Sequence, residues 1–75
     1  MIIIKREYLD KFYKSGKDYL YPVSKGIYLC FDGDTLAYKD VIYYYLPFDY
    51  KSYQKDSDDL LNRLITKGIL EVLYD

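Results

Sequence analysis

Carboxylates, lysines and tyrosines are the side chains through which this sequence could do chemistry. Its 75 residues hold twelve tyrosines, eleven Lys or Arg, twelve Asp or Glu, one cysteine and no histidine. Without histidine the commonest general base is missing. Ser-His-Asp and Cys-His nucleophilic arrangements cannot be built either. Carboxylates and lysines become catalysts where a concave site perturbs their pKa values. A chain of this length commits most of its interior to one core. The sequence therefore reads as non-enzymatic.

Metal chemistry is equally thin. A structural zinc site takes four Cys or His ligands, and Cys30 is the sole residue of either type. Asp32-Gly33-Asp34 begins like a calcium loop. An EF-hand loop ends on Glu at its twelfth position, and here Tyr43 stands there. No cofactor and no metal are expected. Cys30, beside Phe31, reads as a small buried apolar residue. Its segment lacks the cationic neighbourhood of a reactive thiol.

The tyrosines are the main feature. A core of this size takes roughly four or five with their hydroxyls at its rim, so twelve are a surplus. That surplus gathers between Tyr43 and Tyr53. Tyrosine supplies large, stiff, amphipathic contact area and is enriched at protein interfaces. The expected partner-binding set is Tyr43, Tyr45, Phe48, Asp49, Tyr50 and Tyr53. The bland alternative lays these rings across an outer sheet face, paired with cross-strand neighbours.

Charge is distributed unevenly. The net value is −1, yet residues 1–25 carry +3, residues 26–50 carry −3 and residues 51–75 carry −1. The tyrosine surplus thus begins in the acidic middle, where phosphates are repelled. Nucleic acid is disfavoured as a partner on that ground. A basic or nucleic-acid-binding protein fits an acidic face better.

Several elements would position these residues. Ile2 to Ile4 reads as a short buried strand. Lys5 to Ser15 reads as a helix with Tyr8, Leu9, Phe12 and Tyr13 on one face and Gly16 as its C′ residue. Tyr19 to Val23 contains Pro22 and reads as an edge strand or connector. Ile27 to Phe31 alternates as a strand. Asp32-Gly33 signals a type I′ hairpin returning through Thr35 to Tyr38. Val41 to Leu46 is β-branched and aromatic, hence a strand. Ile42, Tyr44 and Leu46 share one of its faces, and Val41, Tyr43 and Tyr45 the other. A helix from Thr35 through Leu46 is the rival. Pro47 ends either, and Phe48 to Tyr53 follows as a loop.

Asp56-Ser57-Asp58-Asp59 reads as an acidic helix start. Leu60, Leu61, Leu64 and Ile65 form its apolar stripe. Gly68 ends it, with Ile69 packing back on Leu64, and Ile69 to Leu73 is a final strand. The segment from Leu60 to Val72 is similar to the helix-Gly-strand step of winged-helix domains. It is equally similar to the C-terminal helix of small phage structural proteins. A winged helix has two further helices before that step, and the periodicity supplies one.

The expected fold is α+β: one domain, residues 1–75, with a small antiparallel sheet of three to four strands and two helices packed on one face. No apolar run approaches the ~18 residues of a membrane span. Charge follows the first apolar residues, the reverse of a signal peptide, so a cytoplasmic protein with no membrane partner is expected. The functional expectation is a small non-enzymatic adaptor or inhibitor that binds another protein through a tyrosine-rich, mildly acidic surface. Size and the abundance of Lys, Ile, Tyr and Asp suggest phage or mobile-element cargo acting on a host protein. Two alternatives stand beside it. One is a homo-oligomeric structural or assembly protein, including a homodimer, joined through the same face or an unpaired edge strand. The other is a nucleic-acid-binding module using the basic N-terminal helix.

Overall fold

The computed structural model describes residues 1–40 and 49–74. The chain runs β1 (Ile2–Ile4), a 3-10 helix (Arg6–Lys11), β2 (Tyr13–Ser15), β3 (Asp18–Ser24), β4 (Ile27–Phe31), α1 (Tyr50–Thr66) and β5 (Leu70–Val72). β1 pairs antiparallel with β5, and β2-β3-β4 form an antiparallel meander. The mixed helix and antiparallel-sheet content is as expected. Two details are corrected: among the described residues there are two sheets, and α1 is the one α-helix.

Residues 36–39 stitch the sheets together. On one side, Ile4 N–H donates to the Leu36 carbonyl at 2.9 Å and Tyr38 N–H to that of Ile2 at 2.8 Å. On the other, Asp32 N–H donates to Ala37 at 2.7 Å and Lys39 N–H to Cys30 at 2.9 Å. Single antiparallel bridges, Ile3 with Ala37 and Phe31 with Tyr38, mark the same seam. Residues 37 and 38 are therefore extended, which rules out a helix beginning at Thr35. The expected strand Val41 to Leu46 lies outside the described residues.

The expected helix from Lys5 to Ser15 is replaced by a 3-10 helix and β2. Phe12 is the reason. It is buried, and its ring meets Tyr21 edge-on at 5.1 Å and Phe31 at 5.5 Å. Tyr13 then leaves the core and is 64% exposed. Gly16 has φ +59°, but it uses that freedom in the two-residue loop between Ser15 and Asp18. A left-handed glycine serves a helix C′ and a hairpin loop alike, so the sequence pattern did not distinguish them. Lys5 instead places its ammonium near Gly68, at the negative end of α1.

β3 is longer than expected and lies between two strands. β2 covers Asp18 to Leu20 alone, so Pro22 has a neighbour on one side. The rule that keeps proline off paired edges is met within a central strand.

The Asp32-Gly33 turn is wider than a two-residue hairpin. Asp32 Oδ1 accepts from Asp34 N–H at 2.8 Å and Thr35 N–H at 3.2 Å. Those bonds, Thr35 first, hold its carboxyl below the usual range. Leu36, not Gly33, takes the left-handed φ, at +59°. That conformation costs a leucine about 1–2 kcal/mol, offset because Leu36 is buried in the core.

α1 begins six residues before Asp56. Asp49 caps it, its Oδ1 accepting from Lys51 N–H at 3.1 Å and Ser52 N–H at 3.4 Å. The expected loop from Phe48 to Tyr53 is therefore helical from Tyr50 onward. Its C-terminus is as expected. Ile69 N–H donates to Leu64 and Gly68 N–H to Ile65, each at 3.0 Å, with Gly68 at φ +79°. These are the two bonds of a Schellman motif.

The core joins both sheets and the helix: Ile4 and Leu70 face each other in register, over Leu29, Phe31 and Leu64. No helix among the described residues is long and apolar enough to cross a membrane.

Candidate functional site

The meander's register separates its faces. Tyr13 lies opposite Leu20, Leu20 opposite Cys30, and Pro22 opposite Tyr28. Side chains alternate along a strand, so Tyr13, Ser15, Leu20, Pro22, Tyr28 and Cys30 share the outer face. Tyr19, Tyr21, Val23, Leu29 and Phe31 share the inner one, where they pack into the core. Lys14 belongs to that inner side and places its Nζ 4.2 Å from the centre of the Tyr19 ring.

The outer face holds an open groove of about 610 Å³. Leu20 and Pro22 form its floor, Tyr13 and Tyr28 flank it, and Ser15 and Ser24 line it as well. The turn Lys25-Gly26 closes one end. Pockets that bind other molecules are typically apolar with a few placed polar groups, and this groove has that composition.

Beside it sits a small charged cluster. Lys39 Nζ lies 3.1 Å from Asp18 Oδ1. Cys30 is fully buried. Burial, followed by the Asp18 carboxylate, pushes its thiol up. A thiol held protonated is a poor nucleophile, so the expected inert role of Cys30 agrees with its surroundings. Among the described residues no group of three His, Cys, Asp or Glu side chains is placed to hold a metal ion.

No family model, no curated protein and no solved structure matches this chain. Its surface chemistry must be read from its own residues.

The expected contact set is not brought together among the described residues. Tyr43, Tyr45 and Phe48 lie outside them. Asp49 is exposed, but its carboxylate is the helix cap and also accepts from Ser52 Oγ at 3.2 Å. Tyr50 is the first residue of α1. Tyr53 is buried, 8% exposed, and its carbonyl accepts from Ser57 Oγ at 2.9 Å. Its ring is core and not contact surface. The cause is the early start of α1, which turns position 53 inward along with Ser57, Leu60 and Leu64.

Tyr38 also lies near this end of α1. Burial first, then Asp40, Tyr53 and Asp58, push its hydroxyl up to about 12.

Tyr13 and Tyr28 are the aromatics that sequence reasoning did not single out. Tyr28 was legible, since it points away from Ile27, Leu29 and Phe31. Tyr13 was not, because the helical reading put it on a buried face. Tyr13 is exposed and Tyr28 half-buried, and Lys25 is the cation that lines the groove with them.

Proposed function

We propose that the chain is a small non-enzymatic protein-binding module, an adaptor or inhibitor, that engages its partner through the outer face of the meander. One observation carries the reading: an open apolar groove flanked by Tyr13 and Tyr28 on a sheet face turned away from the core. A tyrosine that is 64% exposed contributes little to folding and much to available contact area. The partner's matching surface is apolar at its centre and carries an acidic group at the end of the groove where Lys25 lines it.

The test is affinity capture from the source cell with the wild-type chain and with the double variant Tyr13→Ala, Tyr28→Ala. Matched thermal denaturation curves show that the variant is folded. A protein retained by the first and lost by the second supports the reading. An identical captured set removes it. Tyrosines on a sheet among lysines also stack bases, so capture of nucleic acid in place of protein counts against the proposal.

A further inference from the structure

We infer that the outer edge of β2 takes up an extended, acidic segment of the partner protein as an added strand, with apolar side chains of that segment seated along Tyr13 beside the groove. The inference rests on the protein-binding reading above and specifies how the partner docks.

β2 is the last strand of its sheet, and all three of its residues are exposed. No described strand lies beyond it. An edge of this kind presents a row of main-chain donors and acceptors to an incoming extended chain. Strand addition satisfies that row, while alternate side chains read out specificity.

The charges choose between occupants. Lys14 is central in β2, and Lys11 and Lys17 flank the strand. A second copy pairing antiparallel about a two-fold axis at Lys14 would set Lys14 against its own equivalent. Like charges directly opposite destabilise a strand pair. An acidic strand reverses the sign of that interaction. Asp18 is held by Lys39, and Asp32 draws on Lys17, which helps to lower its carboxyl, so Lys14 is the cation at the centre of this edge that an acidic strand would meet. Lys14 rests over the Tyr19 ring, which leaves its charge in place.

The register then sets the pattern of the ligand. Residues opposite Tyr13 and Ser15 project on the groove side, and the residue opposite Lys14 projects on the other. The fitting segment therefore alternates, apolar against Tyr13 and Ser15 and acidic against Lys14.

A short fluorescein-labelled peptide of alternating valine and glutamate tests this by anisotropy, beside a valine-lysine peptide of equal length. The valine-glutamate peptide is expected to bind at least about tenfold more tightly. Methylating its main-chain nitrogens at alternate residues, or changing Lys14→Glu, is expected to remove that preference. Equal binding of the two peptides overturns the inference, as does preference that survives main-chain methylation. Tighter binding of a labelled oligothymidine overturns it in favour of nucleic acid. Sedimentation that shows concentration-dependent assembly abolished by Lys14→Glu overturns it in favour of a second copy. If the peptide fails while groove-dependent protein capture persists, strand addition is wrong and the protein-binding reading stands.

Discussion

The Cα of Gly33 lies directly against the carbonyl of Lys17, so a methyl group at position 33 would run into that oxygen. The turn after β4 is thereby docked on the loop between β2 and β3. Gly33 is required for space, whereas Gly16 has open surroundings and a φ of +59°. The two glycines should therefore respond differently to alanine. Gly16→Ala is expected to cost about 1–2 kcal/mol through left-handed strain. Gly33→Ala is expected to cost more, about 3 kcal/mol, because backbone must move. Urea midpoints at constant slope measure both; a smaller loss for Gly33→Ala would show that the two turns are not in contact.

Asp49 offers a second stability test. As the N-cap of α1, its replacement by alanine should cost about 1 kcal/mol, with Asp49→Asn retaining most of the stability. Far-UV circular dichroism during thermal unfolding reads the difference. Equal stability of all three proteins would mean that α1 does not begin there.

Phe31 is fully buried, with Phe12 and Tyr38 both edge-on at 5.5 Å. Phe31→Ala should cost about 3–5 kcal/mol, which is enough to unfold much of a small domain. Loss of amide dispersion in a proton-nitrogen NMR spectrum is the expected sign. A well-dispersed spectrum would contradict this core.

Cys30 should be silent in the folded protein. Its thiol is buried and pushed up, so iodoacetamide at neutral pH is expected to label it only as urea unfolds the chain. Labelling at the rate of a free thiol in the absence of urea would show that the outer face opens locally.

Tyr38 and Asp32 set pH limits at opposite ends. The hydroxyl of Tyr38 is raised to about 12, so the folded state holds that proton more firmly than the unfolded chain. Its contribution is complete below pH 10 and is lost as pH rises to about 12. Asp32 is lowered, so its contribution is present above the ordinary carboxylate pKa and is lost as pH falls through the lowered value. Tyr38→Phe should flatten the alkaline limb of a denaturation-against-pH curve, and Asp32→Asn the acid limb. An unchanged limb in either variant rejects the corresponding assignment.

Local signals that depend on a few neighbouring residues were legible. The Gly68-Ile69 end of α1, the alternation of Ile27 to Phe31 and the short strand at Ile2 to Ile4 each follow from residue type and spacing. Signals with two physical solutions were not. Gly16 suits a helix end or a hairpin loop, and Phe12 decides between them by reaching Tyr21 and Phe31. Asp-Gly at positions 32 and 33 reads as a tight turn, yet the glycine serves a close approach from Lys17, many residues earlier in the chain. Tyr53 looked like part of an aromatic loop until the Asp49 cap placed it one turn into α1.

The sequence by itself determined the chemistry that is open to this chain. Without histidine, and with one cysteine, it excludes the common nucleophilic and zinc arrangements whatever the fold. It also determined that tyrosine exceeds what a small core takes. Among the described residues, only the tertiary structure decided which tyrosines reach the surface. Exposure depends on which strands pair and in what register, and alternation makes a one-residue difference in register exchange inside for outside. That pairing brings Tyr13 and Tyr28 to one face of the meander, while the start of α1 at the Asp49 cap takes Tyr53 inside.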